Sequence, residues 1–317
     1  MTALAAPTAP IAPIDLGEPK RLHVVGVGGP GMSAIAIVLA EMGHTVSGSD
    51  LREKPVLDRL RAAGVTVRIG HDRAHVHGVD AVTASTAVPS RNVELDEARQ
   101  RGSVVLRRAG MLAGICAKAK SLAVAGTHGK TTTSSMLMLV LAEAGWRPSF
   151  VIGGDVTDMG TGAQWTGGEW FVVEADESDG THLELPLHAT ILTNVEVDHL
   201  DHYGSFEGIV AGFERYLGQI AGPKVLCADD EICVALAAAH GAVTYGFADG
   251  ADFRAVDVHA ETGSFRFAVE HHGVRLGEVL LPLRGTHNVQ NATAVVAMAV
   301  TIGVPFDVVA AALARFG

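Results

Sequence analysis

Cysteine is scarce. Cys116, Cys227 and Cys233 are the whole complement of a 317-residue chain. An odd set without CxxC spacing excludes a disulfide framework and a structural zinc site, and it suits a reducing, cytoplasmic setting. Basic residues are also short, with 24 Lys and Arg against 35 Asp and Glu and a net charge of −11. That balance argues against a broad nucleic-acid surface or a polybasic membrane contact, so any anionic ligand must be bound locally. No apolar run reaches the ~20 residues of a membrane helix, and the longest, around Ala294 to Val304, reads as a buried helix. The first eighteen residues carry prolines instead of a basic start followed by an apolar stretch. They are expected to be a disordered leader, not a signal peptide. Neither a nucleic-acid nor a membrane partner is expected, and the sequence leaves the oligomeric state open.

What remains is a globular composition, 48% hydrophobic and 19% charged, with length enough for two cores. From Arg21, LHVVGV, a glycine turn, MSAIAIVLAEMG and HTVSGSD read as strand, helix, strand. VTVRIG, a helix near Val93 to Arg101 and SVVLRR complete a first α/β domain over residues 19–108. A second domain, 109–317, opens with SLAVAG and a helix at Thr131 to Ala144. It continues through the unalternated apolar strands WFVVEA and ATILTNV, which suit a parallel sheet buried on both faces, and a helix around Phe206 to Leu217. Phe253 to Leu283 reads as a small antiparallel meander turning at Thr262-Gly263 and His272-Gly273, and helices starting near Asn288 and Asp307 follow. The fold class is therefore α/β: a Rossmann-like domain followed by a P-loop-type parallel-sheet domain with a small antiparallel sheet.

The strongest chemical signal is AVAGTHGKTTTSSM, where a strand meets a glycine turn and then a helix. Gly126 and Gly129 let backbone N–H groups approach phosphate oxygens, and the helix N-terminus adds positive potential. Lys130 is placed to reach the β- and γ-phosphates and Thr131 to bind magnesium (Mg2+), with Thr127, His128 and Thr132 completing the loop. The strict GxxxxGK[ST] pattern fails, because position 124 is Val. Glu174 and His199 follow two apolar strands of the same sheet, at the edge where ligands gather. The carboxylate suits a hard cation. The histidine reads equally as a capping or packing residue. Asp176, Glu177 and Asp179 add acidity, which a solvated turn would also explain.

The first domain opens with Gly26-x-Gly28-Gly29-x-Gly31, and Asp50 ends the second strand 24 positions after Gly26. This is nearly the dinucleotide fingerprint, which a UDP-sugar satisfies as well as NAD does. Asn288 and Asn291, three apart at a helix start, present amides to one face; they suit the edge of adenine, or a helix cap plus one buried amide. The histidines His71, His75 and His77 lack a zinc pattern and read as surface loop residues without a metal.

GVGGPGMS, SGSD, STAVP, RRAGML, AGTHGKTTT, EADESD, NVEVDHLDHY and GTHNVQNA occur in that order over residues 21–317. In this the chain resembles the Mur ligases of bacterial cell-wall synthesis. The resemblance implies ATP-dependent joining of L-alanine to UDP-N-acetylmuramate through an acyl phosphate, with ATP and Mg2+ in the second domain. It places the UDP moiety on the glycine turn with Met32, Ser33, Asp50, Ser85, Thr86 and Arg107, and it assigns Lys130, Glu174 and His199 to catalysis. Thr131, Glu174 and His199 hold the metal, and Asn288 and Asn291 hold adenine. Two departures stand out. The family's C-terminal amino-acid domain is absent, so a truncated form with little turnover is expected. Tyr203 to Gly222 holds no lysine, so no carbamylated lysine is expected there.

Overall fold

A computed structural model describes residues 13–156, 161–198 and 203–317. Two sheets organise them. The first contains β1 (Arg21–Val25), β2 (Thr45–Asp50), β3 (Thr66–Ile69), β4 (Ala81–Ala84) and β5 (Val104–Arg107), all parallel, in the order β3-β2-β1-β4-β5. This is the nucleotide-fold order, with the crevice where the order reverses beside β1. Helices α1 (Pro30–Glu41), α2 (Pro55–Ala62) and α3 (Val93–Gln100) connect the strands. Proline at the first turn of α1 and α2 supplies a preset φ where no N–H partner is needed. The side chain of Asn92 caps α3.

Helix α4 (Arg108–Cys116) carries the chain to the second sheet and packs against both halves: β4, β5 and α1 on one side, a 3-10 turn at Thr181–Glu184 on the other. The second sheet has ten strands. Its centre is parallel, with β6 (Lys120–Ala125) flanked by β9 (Trp170–Glu174) and β10 (Ala189–Leu192), then β11 (Lys224–Cys227) and β12 (Val243–Gly246). Their cores, such as Leu122 to Ala125 and Phe171 to Val173, are wholly buried, which is why the sequence shows apolar runs without alternation. Helix α5 (Lys130–Glu143) covers β6, β7 and β9, where β7 is Ser149–Val156, paired to β9 and in hairpin with β8 (Thr161–Gln164). Helix α5 is buried on nearly every side because α8 (Thr286–Thr301) and α9 (Phe306–Leu313) pack over it. Between them in sequence come α6 (Phe206–Gly218) and α7 (Glu231–His240), capped by Ser205 and Asp230.

Three expectations change. The meander, β13 (Phe253–Glu261), β14 (Ser264–His271) and β15 (Val274–Leu281), is no separate sheet. Tyr245 and Gly246 of β12 pair in parallel with Phe253 and Arg254, so the hairpins extend the large sheet. Residues 1–12 lie outside the described residues, but the expected leader does not reach residue 18. Leu16 is 4% exposed, and Ile14 packs beside it against α4 at Gly114. His71 and His75 are not loose surface residues. Their Nδ1 atoms stand 2.8 and 2.6 Å from the carboxylate of Glu94, which is fully buried and also accepts from the Ser49 hydroxyl at 2.6 Å. Buried His23 adds an Nε2 at 3.6 Å. Burial alone would raise the Glu94 carboxyl; His23, Ser49 and His75 together hold it down, at about 2. His77 is half-exposed beside Glu97. Among the described residues no His, Cys, Asp and Glu group is arranged to hold a metal, so the cluster is a hydrogen-bonded network.

Candidate functional site

The loop between β6 and α5 lies where the strand order of the second sheet reverses, with β9 and β10 on either side of β6. Gly126 and Gly129 have φ of +118° and +84°, which side-chain-bearing residues rarely adopt. A Cβ on Gly129 would lie 2.8 Å from Asn291 Oδ1, and one on Gly126 2.8 Å from the Asn194 carbonyl oxygen. The loop is thus pressed against α8 and the end of β10. Thr127 N donates to Asn194 O (3.2 Å) and His128 N to Asn194 Oδ1 (2.8 Å), while Thr193 Oγ1 donates to His128 O (2.6 Å). Two of the loop's backbone donors are thus engaged within the fold. The backbone donors of Thr127 and His128 serve the loop's own bracing, and the His128 ring is 69% exposed. The first turn of α5 has no side-chain cap, so its N–H groups carry the donor character of an open helix start.

Lys130 Nζ donates to Gly126 O (2.6 Å) and Thr127 O (3.3 Å) and pairs with buried Glu177 at 2.9 and 3.1 Å. Thr131 is exposed and Thr132 half-buried on the same turn. Glu174, which ends β9, accepts from Gly153 N of β7 at 2.9 Å, and Thr131 stands near enough to favour its charged form. Burial pushes the Glu174 carboxyl above its ordinary value, against the opposing pull of Gly153, Thr131 and Lys130. A half-buried carboxylate and a neighbouring hydroxyl, both oxygen donors, with Lys130 already paired to Glu177, fit a hard divalent cation. His199 lies outside the described residues.

Asn291 is 6% exposed over Gly129, and its Nδ2 lies 3.4 Å from Asn288 Oδ1, while Asn288 donates to Arg284 O at 2.8 Å. One amide is therefore buried against the loop and the other ties down the helix start.

In the first sheet, Gly26 and Val27 donate to Ser49 O at 2.8 and 3.0 Å, and Gly28 N donates to Asp50 Oδ2 at 2.9 Å. A Cβ on Gly28 would fall 2.6 Å from that carboxylate. Asp50 also meets Lys54 at 3.3 Å, so its first task is to tie the glycine turn to β2. Gly29 caps α1 and Gly31 lies in its first turn. Met32 is 2% exposed in the core, and Ser33 donates to Pro30 O at 2.9 Å, so both side chains serve the helix. Ser85 follows β4, with its N–H on Val25 O and its Oγ accepting from Ala87 N; Thr86 is exposed. Arg107 is exposed and pairs with Glu184 on the Thr181–Glu184 turn. Its neighbour Arg108, which motif reading passed over, lies against Gly31 and pairs with Asp176 (3.4 Å) and Asp179 (3.2 Å). A cleft of about 250 Å3 joins the two halves, lined by Gly28, Ser33 and Ile37 on one side and Ile152, Gly153 and Ala163 on the other. Gly153, in this lining, is also the backbone donor to Glu174.

A parallel sheet and a mixed one, each with a glycine turn at its point of strand reversal and a shared cleft between, define a tandem α/β protein. Residues 21–120 match the Mur ligase family, catalytic domain, and residues 124–299 the Mur ligase middle domain. The chain belongs to the Mur ligase family. It is 48% identical over 311 residues to the UDP-N-acetylmuramate–L-alanine ligase of Acidothermus cellulolyticus, covering 96% of this chain and 65% of that one. The Salinispora arenicola ligase of the same name is 43% identical, with 99% and 62% covered. The chain thus spans about two thirds of the length of these curated relatives. Among solved structures, the UDP-N-acetylmuramate–alanine ligase of Thermotoga maritima superposes with a TM-score of 0.83 at 31% identity, covering 94% and 68%. The UDP-N-acetylmuramate:L-alanyl-γ-D-glutamyl-meso-diaminopimelate ligase of Neisseria meningitides superposes at 0.85 with 27% identity, covering 95% and 99%. Among the described residues no helix is long and apolar enough to cross a membrane.

Proposed function

We propose that this chain carries the nucleotide-binding parts, residues 19–108 for the UDP-sugar and 109–317 for ATP, of a ligase that joins L-alanine to UDP-N-acetylmuramate, releasing ADP and phosphate. The observation that carries the reading is the approach of Lys130 and Thr131 to Glu174, whose donor Gly153 lines a cleft that also takes in the Gly28 turn. A carboxylate forms an amide only after activation, and the first step brings two anions together. The chain's contribution is to align them and offset their repulsion. Gly28, Gly29 and the start of α1 receive the diphosphate of the UDP-sugar, with Asp50, Ser85, Thr86 and Arg107 around it. The lactyl carboxylate then points along the cleft. The first-turn N–H groups of α5 and Lys130 hold the β- and γ-phosphates of ATP, and Asn288 and Asn291 flank the adenine. Thr131, Glu174 and His199 would hold Mg2+, which supplies charge neutralisation at the phosphates when bound. The amine of L-alanine displaces phosphate from the acyl phosphate, so no covalent enzyme intermediate is required. A cytoplasmic setting accords with three buried free cysteines.

Calorimetry with separate ligands tests this. Lys130→Ala should weaken ADP binding by at least ~10-fold, the worth of a charge-assisted bond, while UDP-N-acetylmuramate binds as before. Equal loss of both would contradict the two-site reading. The match to the Neisseria protein, almost end to end, favours a second reading in which a peptide replaces L-alanine. An acceptor assay with alanine against tripeptide separates the two.

A further inference from the structure

Lys130 has three N–H bonds, and four oxygens surround them within 3.3 Å: two loop carbonyls and both oxygens of Glu177. The Glu177 side chain is 4% exposed and that of Lys130 19%, so this ion pair is largely out of water. Glu177 sits on a braced segment. Its carbonyl accepts from the Tyr203 hydroxyl at 2.8 Å and from Gly180 N at 3.2 Å, and Arg108 pins Asp176 and Asp179 on either side. The carboxylate therefore stays in place when the lysine moves. With every lysine donor taken, a phosphate entering the loop is a second anion seeking one cation. A carboxylate this close and this buried competes strongly, because the attraction is poorly screened.

Granting that the Gly126–Thr131 loop binds nucleotide phosphates, we propose that Glu177 is a positioning residue. It holds Lys130 folded onto the loop, yields it to the incoming phosphate, and reclaims it as product leaves. The pair then sets nucleotide affinity by competition and speeds release. A buried acid with only a structural role would behave oppositely, since its loss would loosen the loop and weaken binding.

The test is calorimetric titration of the 317-residue chain with ADP and magnesium, comparing wild type with Glu177→Gln. The amide keeps the shape and removes the charge. The expected result is about tenfold tighter binding, about 1.4 kcal/mol, with ADP dissociation slowed by a similar factor. Equal or weaker binding by the folded variant overturns the proposal. Should the variant not fold, a crystal structure of the wild-type chain with ADP and magnesium decides. Lys130 on a phosphate oxygen and out of reach of Glu177 supports the handover; Lys130 still on Glu177 with phosphate bound refutes it. A wild-type chain that binds no ADP would instead fail the reading of the loop, and this inference would fall with it.

Discussion

Gly129→Ala tests whether the loop is built as described, because two separate costs act at one atom. The residue sits at φ +84°, ψ −3°, where adding a Cβ costs about 1–2 kcal/mol. The new Cβ would also stand 2.8 Å from Asn291 Oδ1 and 3.3 Å from Nδ2. Asn291 is 6% exposed on a helix buried between α5 and the sheet, so it has little room to give, and overpacking of this kind costs about 1 kcal/mol or more. The single variant should therefore lose about 2–3 kcal/mol in urea unfolding, read as a lower midpoint at unchanged slope. The two costs separate in a double-mutant cycle. Asn291→Ala removes the clash but not the dihedral penalty, so the double variant should be about 1 kcal/mol more stable than additivity allows. Additive losses would mean that Asn291 does not press on the loop. A Gly129→Ala cost under ~0.5 kcal/mol would refute the left-handed turn itself.

Glu94 and Glu174 make opposite predictions about pH and charge. The Glu94 carboxyl is held at about 2, below its ordinary 4.5. It should contribute about 3 kcal/mol that is fully present above pH ~4.5 and lost as pH falls towards ~2. Urea midpoints for wild type should therefore drop through that window more steeply than for Glu94→Gln, and parallel curves would sink the idea. Glu174 is shifted upward, so its charged form is disfavoured by folding and costs stability at pH 8. Glu174→Gln should raise the melting temperature of the free chain and abolish the extra protection that magnesium gives in the presence of ADP. A variant that melts lower yet keeps the magnesium effect would contradict its role.

What the sequence disclosed and what it hid divide along one physical line. The glycine turns were legible because the glycines cluster in short runs, although only the left-handed dihedrals of Gly126 and Gly129 are local and the contact that requires Gly28 comes from Asp50. The parallel strands were legible because burial on both faces leaves an apolar run, as in Trp170 to Val173. The β7–β8 hairpin left no such mark, since it lies at the sheet margin and mixes glycine with polar residues. Nor did β13 to β15 reveal their attachment, because two pairs of residues across β12 and β13 make the join.

Charge partners are the extreme case. Lys130 and Glu177 are 47 residues apart, and the Glu94 network draws on β1, β2, α3 and the turn at Arg73–Val76. Composition shows that the acids exist, but only the fold decides which of them is solvated and which is buried against a cation. EADESD reads as one acidic turn. Folded, it splits into a carboxylate held by Gly153 at Glu174, an arginine clamp at Asp176 and Asp179, and a counter-ion at Glu177. Adjacent residues of one charge thus take three different tasks, and the neighbour supplied by each strand or helix assigns them. Position along the chain fixes where the phosphate loop is. The packing of β9 and α4 beside it fixes what its lysine is worth.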